Sequence, residues 1–155
     1  MTTLCCDVLQ SLRAKGMTLA TAESLTGGGI GAALPAVPGA SDVFKGGVIC
    51  YMDQVKEQIL GVSPDVLESD GAVSAPTAEA MAVGVRRLLA ADVSLSVTGL
   101  AGPGGDDFGH PVGTVYIGFS DGKKTLVKEC HFEGSREEIR NQTISVALLL
   151  VMENI

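Results

Sequence analysis

Ser24, within Thr21-Ala22-Glu23-Ser24-Leu25-Thr26-Gly27-Gly28, is the side chain best placed for nucleophilic chemistry. It stands just ahead of Gly27, Gly28, Gly29 and Gly31, in a segment that reads as a short helix running to Leu34 and stopped by Pro35 and Pro38-Gly39. Each glycine inside a helix costs about 1 kcal/mol relative to alanine. Close packing on a sheet would account for one or two of these glycines. So dense a cluster suggests that something must also reach the backbone N–H groups. A helix start with bare amides attracts an anion, either a phosphate or the oxyanion created when a serine attacks a carbonyl. Taken alone, Ser24 reads more simply as a helix N-cap.

A serine nucleophile needs a base. His131 falls in the middle of an expected strand, and His110 stands isolated before Pro111. The other kind of base is a lysine desolvated enough to be neutral. Lys56 lies one short helical step beyond a strand ending at Tyr51, so both side chains can point back over the strand ends. Tyr51 would then relay a proton or orient the lysine. On spacing alone, a surface lysine and a strand-end tyrosine remain the simpler readings. Thr98 to Asp107 reads as a substrate-covering loop; its Asp106-Asp107 pair lacks a third oxygen ligand for Mg²⁺ and reads as a solvated tip. Arg136 and Arg140 share one face of the last helix, either as ordinary surface arginines or as a bidentate clamp for a carboxylate or phosphate.

Other chemistries fit poorly. The chain has no G-K-[ST], and Ser24 is flanked by Glu23 and Leu25 rather than set in G-x-S-x-G. A dinucleotide fingerprint, Gly27-x-Gly29-x-x-Ala32, is separated from its strand by polar-leaning residues, and its acidic partner would have to be Asp53, beyond the second strand. That makes a Rossmann-type oxidoreductase the weakest alternative. The four cysteines form no C-x-x-C pair, and only two histidines are present, so a zinc site of ordinary spacing is not expected. A net charge of −7 with no Lys/Arg run argues against nucleic acid.

These residues need a scaffold, and the chain of 155 residues is long enough for one core and one domain, residues 1–155. Apolar residues make up 46% of it with aromatics only 4%, so Ala, Val, Leu and Gly must do the packing, as where helices lie close on a sheet. Helices are expected over Leu4–Leu12, Gln54–Leu60, a turn at Ser63-Pro64, a longer helix opened by Ser74-Ala75-Pro76, and a last one capped by Ser135 with Glu138 and running to about Met152. Strands are expected over 17–21, 43–51 and 93–98, then a hairpin of 112–120 and 125–132 across Asp121-Gly122, with a polar turn at 22–26. Helices between the early strands make them parallel, and the hairpin adds an antiparallel pair. The expected fold is α/β: a three-layer α/β/α sandwich with a five-stranded mixed β-sheet. No membrane span or signal peptide is expected, which places the chain in the cytoplasm, and a domain so rich in apolar residues is expected to form a homo-oligomer.

Together these motifs resemble one family. Thr21 to Gly28 is similar to the TAES-x-TGG signature of the CinA C-terminal-domain family, and Tyr51-Met-Asp-Gln-Val-Lys56 with Ile59-Leu60-Gly61-Val62 to its Y-x4-K…LGV segment. Gly71-Ala-Val-Ser74 is similar to its GAVS turn. Thr98-Gly-Leu-Ala-Gly-Pro103 with Pro111-Val-Gly-Thr-Val115 resembles its TG-[IL]-AGP…PVGTV block. Gly134-Ser-Arg-Glu137 with Arg140 resembles its G-D-R-E-x-x-R segment. Met52-Asp53 departs from a common Ser-Asn, Ser135 from Asp, His110 from a frequent Lys and Leu25 from a frequent Cys. The resemblance implies deamidation of nicotinamide mononucleotide to nicotinate mononucleotide and ammonia, without metal or cofactor, in a stand-alone form of the domain. It implies Ser24 as nucleophile, Lys56 as general base and Tyr51 as supporting hydroxyl. Arg136, and less firmly Arg140, would hold substrate or phosphate, and Thr26, Gly27, Gly28, Thr98 and Gly99 would line the substrate, with candidate oxyanion-hole amides at Gly27-Gly28 and around Thr98-Gly99. The alternative is a non-catalytic pyridine-nucleotide-binding or regulatory module of the same fold.

Overall fold

The computed structural model describes residues 1–155. Its elements are α1 (Thr2–Ala14), β1 (Leu19–Glu23), α2 (Gly29–Ala33), β2 (Phe44–Ile49), α3 (Asp53–Leu60), α4 (Pro64–Ser69), α5 (Ala75–Leu88), β3 (Val93–Gly99), β4 (Thr114–Ser120), β5 (Thr125–His131) and α6 (Arg136–Asn154). Two short 3-10 turns, at Leu34–Ala36 and Ala40–Asp42, join α2 to β2. The strand order is β2-β1-β3-β4-β5. β1 pairs in parallel with both β2 and β3, while β4 runs antiparallel to both β3 and β5. The expected mixed five-stranded sheet and element order are therefore present.

One face of the sheet carries α1, α2 and α6 over a core that includes Leu9, Leu12, Leu95, Ile117 and Leu148. The other carries α5, with α3 and α4 packed on it, over Ala20, Ala22, Met81 and Val85. The small residues have a clear use here. Ser94 and Ser96 donate to the carbonyls of Ala82 and Ala78 on α5, at 2.7 and 2.6 Å. That draws the helix down so far that a Cβ on Gly118 would sit 2.6 Å from the Ala78 carbonyl oxygen. No helix is long and apolar enough to cross a membrane.

β1 runs two residues further than expected. Ala22 and Glu23 pair with Val48 and Ile49 on one side and with Ser96 and Val97 on the other, so a polar-leaning stretch becomes a central strand. Tertiary pairing overrides local preference there. Conversely β4 starts at Thr114, because Gly113 (φ +93°) turns the chain against the Phe132 carbonyl, where a Cβ would have no room. The caps expected at Ser63, Ser74 and Ser135 all form, and Ser135 and Glu138 make a reciprocal capping box.

Candidate functional site

The parallel register brings the carboxyl ends of β1, β2 and β3 side by side, and the residues just past them surround one cavity of about 360 Å³. This is where open α/β sheets place ligands. Ser24, Leu25, Tyr51, Asp53 and Lys56 form its floor and one wall, Thr98 and Gly99 a second, and the loop from Leu100 to Asp106 with Arg136 its cover.

Ser24 sits in a tight turn: its N–H donates to the Val97 carbonyl (3.0 Å), and its own carbonyl accepts from Gly27 N–H (2.9 Å). It is not the cap of α2. That position belongs to Gly28, held at φ 96°, with no side-chain cap. The Ser24 hydroxyl instead meets Lys56, whose Nζ lies 3.2 Å from Oγ.

Lys56 is buried, at 1% exposure, which is rare for a lysine. Its Nζ donates to the carbonyls of Cys50 (2.8 Å) and Tyr51 (3.3 Å), with an Asp53 carboxylate oxygen 3.8 Å away. Burial pushes the Lys56 amine below the ordinary lysine range; Cys50 and Asp53 act in the opposite direction. Burial likewise pushes the Cys50 thiol up to about 11, so it is uncharged at neutral pH.

Tyr51 lies beside the pair; the residue is 56% exposed, and its hydroxyl accepts from Arg136 Nη2 at 3.0 Å. Its backbone carbonyl, not its hydroxyl, touches Lys56. The expected orienting contact therefore comes from the main chain. Arg136 enters from the first turn of α6, fixed there by the capping box, and its Nη1 donates to the Gly102 carbonyl at 2.6 Å. It ties Tyr51 to the covering loop above the cavity. Asp106 braces that loop from inside, accepting from the Phe108 and His110 N–H groups and pairing with His110 Nδ1 at 2.6 Å.

The amides at the start of α2 are not bare. The Glu23 carboxylate, 2% exposed, accepts from Ile30 N–H (2.9 Å), Gly31 N–H (2.7 Å) and the Thr26 hydroxyl (2.6 Å). The anion that the glycine-rich start attracts is thus the protein's own side chain. Packing accounts for two of the four glycines: a Cβ on Gly28 would lie 2.9 Å from Ile49, and one on Gly29 2.6 Å from Ile144. Thr26, Gly27 and Gly28 consequently lie behind Ser24 and outside the cavity wall. Arg140 also faces away from the cavity, its Nε and Nη2 donating to the Leu25 and Thr26 carbonyls (3.0 and 2.9 Å) and bracing the turn from below. The N–H groups of Leu25 and Thr26 donate to no other protein atom.

Ser24, Lys56, Tyr51, Thr98, Gly99 and Arg136 thus converge, whereas Thr26, Gly27, Gly28 and Arg140 support the convergence from outside. Reading the sequence missed Glu23 as the residue anchoring α2, although an acidic residue at a strand end ahead of a glycine-rich helix start is a visible signal. It also missed the two carbonyls that hold Lys56, which no side-chain pattern can reveal.

A hydroxyl and a buried amine facing a small-molecule cavity at the ends of parallel strands define a class of compact α/β domain built around a polar pocket. The chain belongs to the CinA C-terminal-domain family, whose model matches residues 1–155. A CinA-like protein of Synechocystis is 56% identical over 110 residues, 71% of this chain and 26% of that protein. One from Solibacter usitatus is 46% identical over 144 residues, 93% of this chain and 35% of that protein. The chain thus spans about a quarter to a third of these curated relatives. The crystal structure of competence damage-inducible protein A (ComA) from Klebsiella pneumoniae superposes with a TM-score of 0.97 at 33% identity, covering 99% of this chain and 95% of that one.

Proposed function

We propose that this domain is a metal-independent amidohydrolase that converts nicotinamide mononucleotide to nicotinate mononucleotide and ammonia, with Ser24 as nucleophile and Lys56 as base. The observation that carries the reading is the 3.2 Å approach of a buried Lys56 amine to the Ser24 hydroxyl. A neutral amine has two hydrogens and one lone pair. With the hydrogens on the Cys50 and Tyr51 carbonyls, the lone pair is directed at Ser24 Oγ.

Ser24 Oγ attacks the carboxamide carbon as its proton passes to Lys56 Nζ. The carbonyl oxygen becomes an oxyanion, for which the N–H of Leu25, a residue that lines the cavity next to Ser24, is an unengaged donor. Collapse breaks the C–N bond, Lys56 returns its proton to the departing nitrogen, and ammonia leaves an acyl ester on Ser24. Water, deprotonated by Lys56, then hydrolyses the ester and restores the hydroxyl. Arg136 faces the cavity beside Tyr51 and is suited to an anionic group at the other end of the substrate. The cavity volume lies in the usual range for small-molecule sites.

The test is ammonia release from nicotinamide mononucleotide in the presence of a chelator, expected for the wild type and lost in Ser24→Ala and Lys56→Met. Activity at the wild-type level in either variant would overturn the mechanism. Saturable binding in calorimetry without any ammonia would instead make the domain a binding module.

A further inference from the structure

We propose that Asp53 sets the pH range in which Lys56 is a free amine, by standing as the counter-ion of its ammonium. The proposal rests on the reading of Lys56 as a base. Asp53 and Lys56 are one helical turn apart on α3 and face the same cavity, with 3.8 Å between carboxylate oxygen and Nζ. The two are unequal: the Asp53 side chain is 59% exposed and the Lys56 side chain 1%. A solvated carboxylate therefore reaches a desolvated amine without itself being buried.

The groups facing Lys56 are few. Ser24 comes from the end of β1, and the Cys50 thiol and the Tyr51 residue from the end of β2. Ser24 carries no charge. Cys50, at about 11, carries none at neutral pH. The Tyr51 phenol is turned to Arg136. Asp53 is the one carboxylate within ion-pair distance, and its charge favours the ammonium, so it opposes the effect of burial. Burial makes the amine available; Asp53 decides how far. At this separation, with one partner in water, its removal should lower the Lys56 titration midpoint by about one pH unit. A simpler role exists for an acid in the first turn of a helix, where it complements the macrodipole. That role would appear in stability and leave the lysine midpoint in place.

The test is an NMR titration of the lysine side chains, labelled at Cε, in wild type, Asp53→Asn and Asp53→Glu, with the Lys56 signal identified by its loss in Lys56→Met. The midpoint should fall by about one unit in Asp53→Asn and return toward wild type in Asp53→Glu. The low-pH limb of ammonia release should move down with it. In the wild type, raising the salt to about 1 M should lower the midpoint in the same direction, which tests the proposal even if no Asp53 variant folds. An unmoved midpoint in Asp53→Asn, or in the wild type at high salt, overturns the proposal. Absence of ammonia release would overturn the amidase reading alone, because the titration needs no substrate.

Discussion

Glu23→Gln removes one accepting oxygen from the hydrogen-bond cluster that joins β1 to α2. In the wild type, Oε2 accepts from Thr26 Oγ1 and Ile30 N–H, and Oε1 accepts from Gly31 N–H. A glutamine keeps one oxygen and gains an NH₂. In its better orientation the oxygen serves Thr26 and Ile30, which leaves the Gly31 N–H facing another donor. A buried donor without a partner costs about 1–3 kcal/mol, and the two surviving bonds lose their charge assistance. The attraction between the carboxylate and the start of α2 is lost as well. Against these losses, an amide costs less to bury than a charge. The net destabilisation should be about 2–4 kcal/mol, which for a domain of this size lowers Tm by roughly 5–12 °C. Urea unfolding followed by circular dichroism at neutral pH measures it, with an unchanged m-value as the check that only the native state was altered. Thr26→Val added to Glu23→Gln should cost less than the sum of the two single changes, since both act on one cluster. A Glu23→Gln protein within about 0.5 kcal/mol of wild type would refute the assignment of Glu23 as the anchor of this helix.

Two further changes test other parts of the structure. Because burial lowers the Lys56 amine below its ordinary 10.5, the unfolded chain binds more protons between the folded value and 10.5, and wild-type stability rises with pH across that window. Lys56→Met lacks this gain, so the stability difference between wild type and variant should shift in favour of wild type as the pH rises toward 10.5 in paired urea titrations; a difference flat with pH would contradict it. Gly118→Ala would press a Cβ against the Ala78 carbonyl and the Ser96 hydroxyl, and should cost about 1–3 kcal/mol by overpacking; a variant as stable as wild type in the same titration would mean that α5 is not held so close.

Much of this architecture is legible in the chain because each element announces itself locally. Ser63, Ser74 and Ser135 mark helix starts, Asp121-Gly122 marks the hairpin, and the strand-end positions of Ser24, Tyr51 and Thr98 follow once the strands are recognised. What stays hidden depends on segments far apart in sequence. Gly29 is small because Ile144 of α6 presses on it, and Arg140 braces the Ser24 turn across more than a hundred residues. Neither contact leaves a periodic signal. The glycine-rich helix start does hold an anion, but that anion is the Glu23 carboxylate of the chain itself and not one from outside.

That internal anion separates two tasks that one helix start would otherwise have to combine. With Glu23 holding α2 and Arg140 holding the carbonyls of Leu25 and Thr26, the Ser24 turn is fixed from both sides, and its N–H groups at Leu25 and Thr26 are left unengaged. Lys56 is held in the same way, by main-chain carbonyls that cannot change their protonation. In the proposed cycle the amine must alternate between accepting the Ser24 proton and donating it to the departing nitrogen. The two carbonyls accept N–H bonds from both amine and ammonium, more strongly from the ammonium, so the third direction, toward Ser24, is the one whose polarity reverses. A lysine held instead by a carboxylate at hydrogen-bond distance would be biased strongly toward the ammonium. Placing Asp53 at 3.8 Å, in solvent, keeps that bias moderate and lets both states be reached.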